Sequence, residues 1–154
     1  MWKYPDDNTR AVITAKEHIQ SGHNPQNLCL PQTAVLFYMH SGEEYLRKNY
    51  PTHLLCEKLP RFLRGCPVYQ FDLDNHFCFL DGGGGAPQAV DTLETLAALG
   101  VKTIVTVGMF GAFGENVNSG DIIIPNKAFV EEGTSLHYYD SIEYSVPSPS
   151  LYQL

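Results

Sequence analysis

A chain of 154 residues, 44% of them hydrophobic, is long enough to bury one real core. Its net charge of −7 excludes the clustered lysine and arginine surface that nucleic-acid phosphates demand. No apolar run reaches the length of a membrane span, and Met1-Trp2-Lys3-Tyr4-Pro5-Asp6-Asp7 lacks the apolar centre of a secretion signal, so the expected compartment is the cytoplasm.

Residues 1–28 form a polar, mixed segment ahead of the core. Within it Thr14-Ala15-Lys16-Glu17 is a capping box for a short helix through Gln20, closed by Gly22. His18 and His23 read as surface side chains, and Asn24 to Pro31 as loop. Thr33 to Tyr38 is the first core strand. Ser41 and Glu44 form a second capping box, for a helix to about Asn49 with Tyr45 and Leu46 inward and Arg47 and Lys48 near its end. His53 to Leu59 suits a strand. Pro60 to Gly65 holds Arg61 and Arg64 close together, which on the residues alone is a solvated basic turn. Val68 to Leu73 alternates as a half-buried strand, and a turn at Asn75 makes a hairpin that returns through Leu80. Cys29, Cys56, Cys66 and Cys78 show no C-x-x-C spacing and read as buried thiols, with a disulfide pair as the other reading.

The centre of the chain carries the strongest pattern. Phe77 to Leu80 is an apolar run that stops at Asp81 and four glycines, Gly82 to Gly85. Pro87 suits the first turn of a helix. Ala86, Ala89, Val90, Leu93, Leu96 and Ala97 mark its apolar face, with Asp91 and Glu94 outward and Gly100 as the stop. Lys102 to Val107 is then a β-branched strand ending at Gly108. Strand, glycine loop, helix and strand make a βαβ unit with parallel strands, and ligands of such units sit beyond the carboxyl ends of the strands. The dinucleotide fingerprint fails here, because Pro87 stands where its third glycine belongs. Further on, Asp121 to Pro125 reads as a strand, and Ser150 as the N-cap of a helix that Leu151 to Leu154 has only begun. One domain over 1–154, stopping part-way through its fold, is the expectation.

The stretch GGGGAPQAVDTLETLAALGVKTIVTVG, followed by GAF, SGDIIIP and EEGTSLHYY, resembles the nucleoside phosphorylase superfamily, nearest to its uridine phosphorylase-like branch. The matching positions are Gly84, Gly85, Pro87, Glu94, Leu96, Leu99, Gly100, Gly108, Gly111, Ala112, Gly120, Asp121, Glu132, Gly133, Thr134, Ser135 and His137. The resemblance is firm from Gly82 to Tyr139 and looser from Thr33. It implies an α/β fold, a mixed sheet with a parallel βαβ core, of which this chain covers the first half to two-thirds.

The resemblance also implies cleavage of the N-glycosidic bond of a nucleoside, with the sugar passed to phosphate. Substrate would contact Gly84, Gly85, Thr106, Met109, Phe110, Gly111, Thr134 and His137, and Arg61 or Arg64 would reach a neighbouring subunit's phosphate site. Thr106 stands at the family's phosphate arginine, and Met109 and Phe110 stand at its hydroxyl positions. The turn after the first strand offers His40, Glu43 and Glu44, which repel anions. Two alternatives therefore stand beside phosphorolysis: a phosphate-independent nucleosidase, and a non-catalytic nucleoside-binding protein. The residues that grip the ribose and face the base lie further along the family's chain, so no catalytic residue is assigned. No metal or redox cofactor is implied, phosphate being a possible co-substrate. The expected assembly is a homo-oligomer, a dimer or a hexamer. Substitution Gly85→Val is expected to abolish ligand binding without unfolding the protein.

Overall fold

The computed structural model describes residues 9–23 and 27–152. The polar N-terminus, part of the loop before the first strand, the side chain of His23 and the last two residues lie outside the described part. The chain forms two compact units, one running Arg10–Met109 and the other taking in Phe110 onward.

The first unit opens with α1 (Ala15–His18), whose capping box forms as the sequence predicts: Thr14 Oγ1 accepts from the N–H of Glu17, and Glu17 Oε2 accepts from that of Thr14. A π-turn at Ile19–His23 continues it. Then come β1 (Thr33–Tyr38), α2 (Gly42–Asn49), β2 (Thr52–Cys56), β3 (Val68–Phe71), β4 (Asp74–Asp81), α3 (Ala86–Ala98) and β5 (Thr103–Gly108). The five strands make one sheet in the order β2-β3-β4-β1-β5. β1 is parallel to both neighbours, with Leu36 opposite Leu80 on one side and Thr106 on the other. β2, β3 and β4 are joined antiparallel. The sheet is therefore mixed, as predicted, with one refinement: β4 and β5 are parallel but do not touch, because β1 lies between them. The crossover through α3 spans a strand laid down much earlier in the chain.

Strand alternation explains the two faces. Ala34 and Leu36 of β1 and Cys78 and Leu80 of β4 point to one side, where they pack with Val68, Leu59 and Leu96 of α3. Phe79 points to the other side and is also fully buried. There its ring meets Phe37, Tyr69 and Phe71 at centroid distances of 6.5, 5.8 and 5.1 Å. The guanidinium of Arg47 on α2 covers the Tyr69 ring at 4.5 Å. Central β4 is thus apolar on both faces, which is why its sequence reads as a continuous run rather than an alternation.

Several expectations are corrected. Ser41 adopts a left-handed conformation (φ 63°) and its hydroxyl donates to the carbonyl of His40. It cannot reach forward to the helix, so the second capping box does not form, and Glu44 instead pairs with Lys48 at 2.7 Å. Tyr45 is exposed; only Leu46 of that pair is half-buried. The hairpin turns at Asp72 and Leu73, while Asn75 is already within β4. The strand expected from His53 to Leu59 ends at Cys56. Cys29 is exposed, whereas Cys56, Cys66 and Cys78 are buried, and all four thiols are free.

The second unit contains β6 (Ala128–Phe129) paired antiparallel with β7 (Tyr144–Ser145). The Lys127 ammonium lies 5.4 Å from the ring centroids of both Phe129 and Tyr144. Glu132 accepts from the N–H groups of Thr134 and Ser135, at 2.6 and 3.1 Å, and so holds the 3₁₀ turn Thr134–His137. Asp121 to Pro125 is not a strand: no described strand pairs with it, and Asp121 folds back to accept from the N–H of Asn118. The last helix, α4 (Pro149–Tyr152), starts two residues earlier than predicted. Pro149 takes its first position, where no N–H is needed, and the Ser148 carbonyl accepts from Leu151 and Tyr152.

Candidate functional site

Parallel β1 and β4 end side by side, and the chain leaves them in opposite directions. β1 passes through Met39, His40 and Ser41 into α2, and β4 passes through the glycines into α3. Such a divergence opens a crevice at the carboxyl edge of the sheet. Here it is a cavity of about 800 Å³, roofed by the loop that carries Arg61, Arg64 and Cys66. Tyr38, His40, Glu43, Asp81, Gly83, Gly84, Gly85, Gln88 and Met109 are among the other residues that line it.

The glycine loop is built by the chain's own side chains. Asp81 Oδ1 accepts from the N–H of Gly83 at 2.7 Å, and Gln88 Oε1 accepts from that of Gly84 at 2.8 Å. Gly82 is required by contact, since a Cβ there would lie 2.5 Å from the Tyr38 ring. Gly85 is required by conformation: at φ 81° and ψ 163° it occupies a region closed to L side chains. Pro87 sits in the first turn of α3 as expected. At the far end of α3, Gly100 turns left-handed (φ 94°), donating to Ala97 while Val101 donates to Leu96. That is a Schellman stop, and it delivers the chain into β5.

Arg61 is not in a solvated turn. Its side chain is 1% exposed. Nε donates to the carbonyl of Arg64 at 2.5 Å, and Nη1 donates to the Asp81 carbonyl at 3.3 Å and to the Thr92 hydroxyl. The basic loop is also pinned from outside: Asp91 accepts from the N–H groups of Phe62 and Leu63 at 3.0 and 2.7 Å. Asp91 was expected to point away. Arg64 is exposed at the cavity, and its carbonyl also accepts from Gln88 Nε2 at 3.3 Å.

Glu43 stands opposite. Its Oε2 is wholly buried without a hydrogen-bond partner, and its Oε1 is 3.9 Å from Arg47. Burial pushes its carboxyl pKa up; Arg47 opposes that, and Asp81 and Glu44 add to it. The Tyr38 phenol is likewise raised by burial, with Arg61 opposing and Asp81 reinforcing. The anion-repelling character expected of this turn is therefore carried into the cavity by Glu43, while Glu44 stays outside with Lys48.

Of the residues singled out from sequence, the cavity gathers Gly84, Gly85, Met109, Arg61 and Arg64. Thr106 lies on β5, exposed, and is not in the cavity wall. Phe110, Gly111, Thr134 and His137 belong to the second unit, where Thr134 and His137 bound the 3₁₀ turn. Sequence reasoning missed Gln88, Thr92 and Asp81. A signal existed: Gln88, Thr92, Thr95, Leu96 and Leu99 follow helical spacing, and Thr92 and Thr95 are the most buried polar residues of α3. Their polar identity hid that face behind the alanine stripe.

A family model described as the phosphorylase superfamily matches residues 41–154. A guanosine phosphorylase of Halorubrum lacusprofundi is 39% identical over 62 residues, which cover 40% of this chain and 25% of that protein. A uridine phosphorylase of Haemophilus influenzae is 37% identical over 62 residues, covering 40% and 24%. A uridine phosphorylase of Thermococcus kodakarensis is 40% identical over 62 residues, covering 40% and 22%. The matched stretch thus spans about a quarter of the length of these relatives. With a family match running through all of residues 41–154, the chain belongs to the phosphorylase superfamily.

Proposed function

We propose that the protein cleaves the N-glycosidic bond of a nucleoside, with transfer of the sugar to phosphate as the first reading. The observation that carries this is the cavity at the diverging ends of β1 and β4, with the glycine loop at its wall, in a chain of this superfamily. Relatives that match it are named uridine and guanosine phosphorylases. In such a reaction the bond from sugar to base breaks as the ribose gains oxocarbenium character, and the site must favour that charge over the ground state. Gly84 and Gly85 would let the backbone approach the sugar, and Met109 would pack against it. The other contacts that the family resemblance implies, Thr106, Phe110, Gly111, Thr134 and His137, are not among the residues lining this cavity. Arg64, exposed at the cavity, is a cation for phosphate, in its own site or a neighbour's. The assembly would be a homo-oligomer in the cytoplasm.

A second reading, hydrolysis, is favoured by Glu43. Glu43 lines the cavity, and burial raises the affinity of its carboxyl for protons, which suits it to accept one from water there. The water oxygen would bond to the anomeric carbon as the bond to the base breaks, its proton passing to Glu43 and the electron pair leaving with the base. No phosphate clamp is needed. The test is release of free base from uridine and guanosine by the full-length protein, with and without phosphate. Release only with phosphate supports the first reading, and release in both conditions supports the second. Binding without release in either would contradict both and leave a nucleoside-binding protein.

A further inference from the structure

A guanidinium enclosed by protein is costly unless each of its donors meets an acceptor, so its presence needs a reason. We propose that Arg61 is a positioning residue, which sets the shape of the glycine loop from beneath and ties the loop to the roof of the cavity. Its side chain is 1% exposed, too enclosed to serve as a surface charge.

Three observations converge. First, Arg61 Nη1 reaches both ends of the glycine loop: the carbonyl of Asp81, where β4 releases the chain, and the hydroxyl of Thr92, on the first turns of α3. Second, Thr92 is itself fully buried, with its hydroxyl 3.1 Å from the Gly82 carbonyl and 2.8 Å from that of Gln88. It accepts from Arg61 and has one proton to give to those two carbonyls. Third, the Arg64 carbonyl accepts from Arg61 Nε and from Gln88 Nε2, while Gln88 Oε1 holds the N–H of Gly84. Without the guanidinium, the Asp81 carbonyl, the Arg64 carbonyl and the Thr92 hydroxyl would each lose a donor inside the fold. A lysine cannot replace it, because a single ammonium does not present donors at the fork's separation.

The consequence is a loop held by a single buried hub rather than by ligand. Gly83 and Gly84 spend their N–H groups on Asp81 and Gln88, so the loop is shaped before anything binds. That the shaped loop serves a nucleoside rests on the function proposed above; the hub itself does not.

The experiment is amide hydrogen exchange on the full-length protein, wild type against Arg61→Met, Arg61→Lys and Thr92→Val, with uridine and guanosine affinities measured alongside. The expected result is exchange at Gly83 and Gly84 at least about tenfold faster in all three variants, with the amides of β1 and β4 unchanged. Uridine affinity should fall at least about tenfold, and Thr92→Val, which leaves one donor of the enclosed guanidinium without its acceptor, should melt lower than wild type but still in one cooperative transition. If Arg61→Met melts the whole unit, Thr92→Val and Arg61→Lys carry the test. Unchanged exchange at Gly83 and Gly84 in these two would overturn the proposal, as would a uniform rise across the sheet. Faster loop exchange with no binding of uridine or guanosine even in the wild type would support the hub and contradict the nucleoside reading.

Discussion

The guanidinium of Arg61 rests on the hydroxyl of Thr92, thirty-one positions further along the chain. That contact joins the loop after β2 to α3, the helix into which the glycine loop leads. It turns the basic turn of Pro60 to Gly65 into a structural member of the cavity. It also removes Arg61 from the list of cations free to meet an anion.

The glycines of this loop should respond differently to substitution. At Gly84 the nearest atom to an added Cβ is Gln88 Oε1 at 3.8 Å, and the backbone is not left-handed. Gly84→Ala should therefore keep its melting temperature within a few degrees and lose nucleoside affinity, because the methyl enters the cavity. Gly85→Val was expected from sequence to spare the fold. With φ at 81° it should instead cost about 1–3 kcal/mol, read as a lowered denaturation midpoint.

Glu43→Gln separates the two glycosidic readings. If Glu43 takes a proton from water, phosphate-free base release should fall about 10²-fold or more, with circular dichroism unchanged. Full retention of that release would exclude Glu43 as the acceptor.

The buried thiols predict an alkaline weakness. Burial pushes Cys66 up to about 12 and Cys78 to about 11, from an ordinary value of 9.0. In the unfolded chain these thiols ionise near the ordinary value, while the folded chain keeps its protons. The unfolded state therefore binds fewer protons between pH 9 and 12, and stability falls as pH rises through that window. Below it, the contribution is fully present. A urea midpoint lower at pH 10 than at pH 8, with a smaller drop in Cys66→Ala, is the expected outcome. At pH 8 a thiol reagent should modify exposed Cys29 and spare the other three in the native state.

Phe79 is the keystone of the aromatic face, fully buried among Phe37, Tyr69 and Phe71. Phe79→Ala should cost about 3–5 kcal/mol, and Phe79→Leu much less. Chemical denaturation would measure both.

What was legible in the sequence follows the range of the forces involved. The apolar run of Phe77 to Leu80, the four glycines, Pro87 and Gly100 act locally, and each sits where its chemistry predicts. β1 as the strand between β4 and β5 was not legible, because parallel pairing joins segments far apart and leaves no mark in either. The burial of Arg61 was hidden for the same reason: its acceptors lie on Asp81, Arg64 and Thr92, and only the fold brings them together. Ser41 misled because a cap depends on backbone conformation as well as spacing. Asp121 to Pro125 misled because a run of isoleucines needs a partner strand to be a strand, and none of the described strands provides one.

Glycosidic cleavage is tested most directly by chromatographic detection of free base after the full-length protein meets uridine or guanosine, run with and without phosphate. Base release is expected in at least one condition, and its loss in Gly84→Val, whose side chain would enter the cavity beside the loop. A folded, nucleoside-binding protein that releases no base in either condition would contradict glycosidic cleavage.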